Sequence, residues 1–280
     1  RKIIRNTDPI IDAIETLSDG KPVSLSIGGD LSEVAGSINK ASRILSRQNE
    51  ARANWISGVS HDIRTPLSMI LGYAGRIADN KTINSSVKEQ AEIVRQQSIK
   101  IKDLVQDLNL VSQLEYEMQP LHKEPVRFSK LLRSYAVELL NDGLSEFFPV
   151  EVEIKPAAEN AMLECDSRLI LRAISNLVQN SIKHNLQGCK ITLTLDNSAT
   201  GITLTVADNG VGLSPEKLRE LGEKPHYMES TDERLNLRHG LGLLLVRQIV
   251  EAHGGTMIIE SEPEQGYQTA LCFRLQAGQS

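Results

Sequence analysis

Aromatic residues and cysteines are scarce in this sequence, and neither sign of charge dominates it. Of 280 residues only 4% are aromatic and three are cysteines, Cys165, Cys189 and Cys272. The cysteines are odd in number and far apart, which argues against a disulfide framework or a zinc site, so we expect free thiols. The net charge of −5 lacks the basic footprint of a nucleic-acid-binding protein, so no nucleic acid is expected as a partner.

Long apolar runs are also missing. No stretch approaches the ~18–20 apolar residues of a membrane-spanning helix, and no signal peptide opens the chain. The first residues, RKIIRNTDPI, are basic and lack a methionine. A basic stretch of this kind is typical of a segment that follows a transmembrane helix, so we expect such a helix upstream of this chain.

The first half of the chain has the periodicity of helices. A short helix is predicted over 8–19, a long one over about 41–77 and another over about 86–115. Apolar residues of the long helix recur at spacings of three and four: Ile56, Val59, Ile63, Leu67, Ile70, Ala74 and Ile77. A lone antiparallel hairpin cannot bury the stripes of both long helices, so we expect a homodimeric four-helix bundle.

The second half alternates between helix and strand patterns. The proline-containing stretch MQPLHKEPVR (118–127) is the expected linker between the two halves. Beyond it, amphipathic helices alternate with strands such as KITLTLD and GITLTVAD. This order predicts a two-layer α/β sandwich with helices on one face of a mixed sheet.

A polar motif lies on the longest helix predicted in this sandwich. In NLVQNSIKHN, Asn176, Asn180, Lys183 and His184 share roughly one helix face. Amide oxygens are suitable ligands for Mg²⁺, and a lysine at this spacing suits a phosphate. A solvated helix face is the alternative interpretation.

Two glycine motifs follow it. In ADNGVGL, Asp208 ends a predicted strand, and Gly210 and Gly212 let the backbone approach a ligand closely. The carboxylate could accept a hydrogen bond from a purine amine, although an ordinary turn has the same residues. RHGLGLLLVRQIVEAHGG opens a helix, whose free N–H groups suit phosphate. Neither motif matches a Walker or Rossmann fingerprint.

Four motifs follow one another along the chain: SHDIRTPL, NLVQNSIKH, DNGVG and GLGL. Together they resemble the H, N, G1 and G2 boxes of two-component sensor histidine kinases. The segment DLSEVAGSIN resembles the second half of a HAMP linker. The resemblance implies a HAMP-like signal-relay linker over 1–50 and a dimerisation and histidine-phosphotransfer hairpin over 51–118. It also implies a catalytic ATP-binding domain of the GHKL (Bergerat) fold over 125–278.

The resemblance assigns the reaction centre to the hairpin. It implies that His61 accepts the phosphoryl group, that Asp62 orients it or takes its proton, and that Thr65 places a water for dephosphorylation. His61 lies roughly 200° around the helix from Val59 and Ile63, away from the apolar stripe. A neutral imidazole is nucleophilic near pH 7, which suits this role.

In the sandwich the resemblance implies a site for ATP and Mg²⁺. Asn180 would ligate the metal and Asp208 would read adenine. The other residues that it assigns to the nucleotide site are Asn176, Lys183, His184, Gly210, Gly212, His239, Gly240 and Gly242.

The implied function is an ATP-dependent protein-histidine kinase. It would autophosphorylate on His61, pass the phosphoryl group to an aspartate of a response regulator, and also dephosphorylate that partner. It would act as a homodimer and form the cytoplasmic portion of a bacterial cell-membrane protein.

One departure from the family pattern keeps alternatives open. A long polar segment over 214–239 is expected to form a lid, where many relatives carry phenylalanines and this chain has none. Tyr227, Leu235 and Leu237 are the candidates to replace them. A nucleotide-binding signalling scaffold or phosphatase-dominant sensor with weak kinase activity is therefore one alternative. A GHKL ATPase without a phosphohistidine is the other.

Overall fold

The computed structural model describes residues 8–18, 22–116, 118–141, 143–222 and 237–274. Contacts divide the chain into two compact units, residues 1–118 and 119–280. The first unit is helical and the second combines helices with a mixed sheet, which confirms the predicted fold class.

The first described element of the first unit is helix α1 (Asp8–Ser18). An extended segment over 22–28, here called the connector, runs along the next helix, α2 (Ser32–Ala78). Asn39 of α2 holds the connector in the manner of a neighbouring strand. Its Oδ1 accepts from the Leu25 N–H at 2.7 Å, and its Nδ2 donates to the Leu25 carbonyl at 2.8 Å. The Val23 N–H donates to Ser42 Oγ at 2.9 Å, so two successive turns of α2 bind the connector.

Helices α2 and α3 (Ser85–Glu115) form the predicted hairpin. The helix expected over about 41–77 begins earlier, at Ser32, and is one continuous helix of 47 residues that runs through Pro66. Helix α3 starts at a side-chain cap, since Asn84 Oδ1 accepts from the Ser86 N–H at 2.9 Å. Such a cap satisfies one of the N–H groups that a helix start leaves without a partner.

Most of the residues buried along this hairpin are small and follow a seven-residue spacing. They are Ala53, Ser60, Leu67 and Ala74 on α2, and Ala91, Ser98 and Ser112 on α3. The other buried residues are Ala35 and Ser42 near the start of α2, and Val111 and Leu114 near the end of α3. A seven-residue spacing keeps one side of each helix turned to its neighbour, as in a coiled coil. The predicted apolar stripe is therefore divided: Leu67 and Ala74 are buried, whereas Val59, Ile63, Ile70 and Ile77 remain exposed.

The second unit contains two sheets. Strands β1 (Glu124–Arg127) and β3 (Met162–Cys165) form an antiparallel pair. The main sheet has the order β2-β4-β5-β7-β6, with only the β2–β4 pair parallel. Its strands are β2 (Val150–Ile154), β4 (Ile191–Ser198), β5 (Gly201–Asp208), β6 (Gly255–Glu262) and β7 (Gly266–Phe273).

In the described part of this unit the helices beside the sheet are α4 (Phe128–Asn141), α5 (Ser167–His184), α6 (Pro215–Gly222) and α7 (Leu237–Ala252). Phe128 of α4 and Phe273 of β7 meet edge to face, with ring centroids 6.1 Å apart. The side chains that are fully buried in this core include Leu132, Ile170, Ile174, Ile191, Leu193, Leu204, Leu245 and Ile249. No helix in the described parts of the chain has the length and apolarity needed to cross a membrane.

Candidate functional site

The histidine of the predicted reaction centre lies on the solvent side of α2. The side chains of His61 and Asp62 are 73% and 87% exposed, and His61 Nδ1 lies 3.6 Å from Asp62 Oδ1. The flanking Ser60 and Leu67 are buried, so the helix turns His61 away from its packed face. Thr65 is exposed one turn further along. The imidazole is therefore accessible to a second reactant, with a carboxylate beside it.

The polar residues of the second unit are positioned by α5. Asp166 caps this helix, since its Oδ1 accepts from the N–H groups of Arg168 at 3.2 Å and Leu169 at 3.4 Å. One side of α5 is anchored in the core by Leu169, Ile170, Ala173, Ile174, Leu177 and Val178. Asn176 and Asn180 lie at the edge of that buried side and are half-buried, while Lys183 and His184 are exposed near the end of the helix.

The start of α7 approaches the two asparagines. A Cβ placed on Gly242 would lie 3.8 Å from Asn180 Oδ1 and 3.9 Å from Asn176 Oδ1. The Asn176 Nδ2 is buried and has no hydrogen-bond partner among the described residues. Because a buried polar group without a partner costs free energy, this amide is well suited to receive a ligand. His239 and Gly240 belong to the first turn of α7.

Asp208 is the buried anion of the site. It ends β5, is only 8% exposed, and lies in register with Tyr267 on the adjacent β7. Its Oδ2 accepts from the Ser181 hydroxyl at 2.6 Å. Its Oδ1 accepts from the Gly210 N–H at 3.0 Å and from Asn185 Nδ2 at 3.3 Å. Three donors therefore fix the plane of this carboxylate.

Both glycines of the G1 motif are required because neighbouring atoms lie where a Cβ atom would be. A side chain on Gly210 would overlap the side-chain amide of Asn185. Gly212 has a φ of +60°, and a Cβ there would overlap the backbone carbonyl of Glu262. Asn185 Oδ1 in turn accepts from the Val211 N–H at 2.9 Å, which ties this loop to the end of α5.

Ser181 and Asn185 are the site residues that sequence reasoning missed. The signal for Ser181 was present: it follows Leu177 by four positions and Val178 by three, so it lies on the apolar side of α5. A hydroxyl on that side implies a buried hydrogen-bond partner. The partner, Asp208, could not be identified from spacing because it is 27 residues away.

The predicted lid is described only in part. The segment 214–239 opens with helix α6, so its beginning is not the loop that the sequence suggested. Tyr227 and Leu235 lie outside the described residues, and Leu237 is the first residue of α7. Among the described residues, no group of three or more His, Cys, Asp or Glu side chains is arranged to hold a metal ion.

Two buried thiols lie near these elements. Burial, reinforced by the charge of Asp208, raises the pKa of Cys189 to about 11. Burial also raises the pKa of Cys165 to about 11. Since the thiolate is the reactive form of cysteine, both thiols are less reactive near neutral pH than an ordinary cysteine.

Two domain families match this chain. Residues 51–117 match the His Kinase A (phospho-acceptor) domain. Residues 165–277 match the histidine kinase-, DNA gyrase B- and HSP90-like ATPase domain. The two matches coincide with the hairpin that carries His61 and with the sandwich that carries Asp208.

Curated proteins resemble the chain over most of its length. A sensor histidine kinase of Bacillus subtilis, YvrG, is 27% identical over 275 residues, which are 92% of this chain and 47% of that protein. The histidine protein kinase DivJ of Caulobacter vibrioides is 31% identical over 227 residues, 80% of this chain and 37% of that protein. The chain therefore spans about half or less of the length of these relatives.

Solved structures share the fold. ShkA, determined in complex with AMPPNP, has a TM-score of 0.63 at 20% identity, covering 80% of this chain and 47% of that one. The histidine kinase AdeS of Acinetobacter baumannii has a TM-score of 0.53 at 19% identity, covering 77% of this chain and 98% of that one.

Proposed function

This chain carries the phospho-acceptor and ATPase domains of a two-component sensor histidine kinase, and we propose from this premise that it is an ATP-dependent protein-histidine kinase. It autophosphorylates on His61 and transfers the phosphoryl group to an aspartate of a response regulator. The observation that carries the proposal is an exposed His61–Asp62 pair in the same chain as a buried carboxylate held for a ligand.

The geometry at His61 supports a defined role for each nitrogen. Nδ1 is the nitrogen near the Asp62 carboxylate, so the neutral tautomer with hydrogen on Nδ1 leaves a lone pair on Nε2. Nε2 attacks the γ-phosphorus of ATP, the bond to the β-phosphate oxygen breaks, and ADP leaves. Asp62 takes the Nδ1 proton as positive charge develops on the ring. Such a transfer depends mainly on alignment and charge neutralisation.

The nucleotide site is proposed on the sandwich, between α5, the G1 loop and the start of α7. Asp208 accepts a hydrogen bond from the adenine amine, and Gly210 and Gly212 allow the loop to lie close to the base. The residues proposed to face the phosphates are Asn176, Asn180, Lys183, His184, His239, Gly240 and Gly242. Asn180 supplies an oxygen ligand to Mg²⁺, which when bound neutralises phosphate charge.

A phosphatase activity towards the response regulator is proposed at the same helix turn. Thr65 is exposed and lies four residues after His61, so its hydroxyl is on the same side of α2. A hydroxyl there orients a water for attack on the partner's phosphoaspartate. The absence of phenylalanine between 214 and 239 favours a sensor in which this activity outweighs the kinase, and that is the second candidate function.

A homodimer is proposed through the hairpin. On α3, Val87, Val94, Ile101 and Leu108 follow the seven-residue spacing and are 38–46% exposed. Large apolar side chains that recur along one helix side need a partner surface. A second copy of the hairpin supplies the same residues and would complete a four-helix bundle. The response regulator would contact the hairpin near His61.

Residues 1–50 are proposed as a HAMP-like relay. The connector is held by Asn39 and Ser42, so motion of α1 or the connector reaches α2 directly. Helix α2 then runs without a break to His61. We further propose that a membrane helix precedes this relay in the whole protein and that the catalytic part is cytoplasmic.

The test is incubation with γ-labelled ATP and Mg²⁺. The wild-type chain should take up label that is lost in acid and stable in alkali, the signature of a phosphohistidine. His61→Gln should take up none, whereas His122→Gln, which alters another exposed histidine, should label normally. Wild-type protein that binds ATP without labelling would favour the phosphatase-dominant sensor, and acid-stable label would contradict the proposal.

A further inference from the structure

Neighbouring hydrogen-bond donors fix the orientation of the Asp208 carboxylate. A carboxylate offers about four lone-pair positions to donors. Ser181 occupies one on Oδ2, while Gly210 and Asn185 occupy both on Oδ1. Among the described residues one acceptor position therefore remains without a donor, and it lies on Oδ2.

The donors are themselves fixed. Asn185 Nδ2 gives one hydrogen to Asp208 and the other to the Ser181 carbonyl at 2.8 Å, and Asn185 Oδ1 accepts from Val211. Ser181 and Asn185 are 4% and 5% exposed, so neither side chain has room to turn towards solvent. Ser181 lies in the last turn of α5 and Asn185 is the C-cap of that helix, so the end of one helix supplies both donors to Asp208.

From this network we infer that Ser181 and Asn185 are positioning residues that set the selectivity of the site for purines with an exocyclic amine. They aim the remaining Oδ2 acceptor at the base, where an amine can donate to it. A carbonyl in place of the amine would set two acceptors against each other, which costs binding free energy. The inference rests on the proposed nucleotide site.

The alternative interpretation is that the hydrogen bonds of Ser181 and Asn185 only offset the free-energy cost of burying the Asp208 carboxylate. The two interpretations differ in what the loss of the Ser181 hydroxyl does. If the hydroxyl only stabilises the fold, its removal weakens binding of every purine nucleotide equally. If it aims the acceptor, its removal reduces the preference for the amine itself, because the carboxylate is then free to turn.

The experiment compares dissociation constants for ATP and inosine triphosphate, in which a carbonyl replaces the amine, measured calorimetrically on the full chain. The ratio of the two constants does not depend on the fraction of protein that is folded. In Ser181→Ala we expect the preference for ATP to fall about tenfold, the scale of a hydrogen bond to a charged group. Ser167→Ala, at the first residue of the same helix, should leave the ratio unchanged.

A double-mutant cycle makes the test specific. In Asp208→Ala, which has lost the acceptor, adding Ser181→Ala should change the ratio no further, because the hydroxyl acts only through that carboxylate. An unchanged ratio in Ser181→Ala, whether binding is intact or uniformly weaker, would overturn the inference and leave the proposed function standing. A wild-type chain that binds neither nucleotide would overturn both.

Discussion

The hairpin and the sandwich use their apolar residues in opposite ways. The sandwich buries many large side chains completely, among them Phe128, Phe273, Ile174 and Leu245, although Phe147 is 73% exposed. In the hairpin the buried positions are mainly alanine and serine, while Ile70, Tyr73, Val94 and Ile101 remain 45–59% exposed. The sandwich therefore builds a core of large side chains within one chain, whereas the hairpin leaves apolar residues exposed that the proposed dimer would cover.

This difference bears on the proposed phosphotransfer function. Small residues at the α2–α3 contact allow the helices to approach closely, but they bury little apolar area. In the proposed dimer the stability of the hairpin would come from association and would therefore depend on protein concentration. The sandwich can hold a precisely arranged nucleotide site because its own core keeps α5 and β5 in place.

The largest expected effect is on association. Ile101→Glu places a charge on the exposed α3 stripe of each copy, where the proposed dimer would bury it without a partner. We expect the dimer dissociation constant to rise about a thousandfold or more, that is by ~4 kcal/mol. Sedimentation equilibrium measures it. Val137→Glu, an equally apolar and exposed position on α4 of the sandwich, is the matched control and should leave the association state unchanged.

A cavity in the sandwich should cost a similar amount of free energy, but in the stability of the fold and not in association. Ile174→Ala removes a fully buried side chain of α5, which typically costs about 2–5 kcal/mol of unfolding free energy. The loss should be the same at every protein concentration in denaturant titration. Val137→Ala, on the exposed side of α4, should cost less than ~0.5 kcal/mol. A concentration-dependent loss in Ile174→Ala would contradict the view of the sandwich as self-sufficient.

The smallest expected effect is a pH dependence confined to the sandwich. His253 Nε2 accepts from the Asp166 N–H at 3.0 Å, and its Nδ1 donates to the Ile249 carbonyl at 2.6 Å. Burial lowers the pKa of His253 below 6.5; the charge of Lys123 lowers it further, while the bond to Ile249 and the charge of Asp166 raise it. The unfolded chain therefore takes up this proton at higher pH than the folded chain does.

It follows that the sandwich should lose stability as pH falls below 6.5, because a protonated His253 can no longer accept from Asp166. The loss should be on the order of 1 kcal/mol, the net contribution of one hydrogen bond. In His253→Asn, stability measured by denaturant titration should vary less with pH across this window. His122→Gln, which changes only an exposed ring, should retain the wild-type slope. Equal slopes in all three proteins would contradict the assignment.

Much of the architecture was predictable from local pattern. The helical hairpin and the sandwich with its mixed sheet were predicted because apolar residues recur about every 3.6 residues in a helix and every two in a strand. These spacings can be recognised from residues that are close together in the sequence. The beginning of the 214–239 segment was not, since Pro215–Gly222 is a short helix that a polar composition conceals. The role assignments of His61, Asp62 and Thr65 stay predictions from the family resemblance.

The sequence by itself determined most of the order of helices and strands, the exposed histidine, and the motif residues Asn180 and Asp208, because each depends on residue type and short-range spacing. Only the tertiary structure decided that Ser181 and Asn185 bind Asp208. Only it decided which apolar residues of the hairpin stay exposed. Both depend on which elements pack together, and packing joins residues whose separation along the chain carries no signal of their proximity in space.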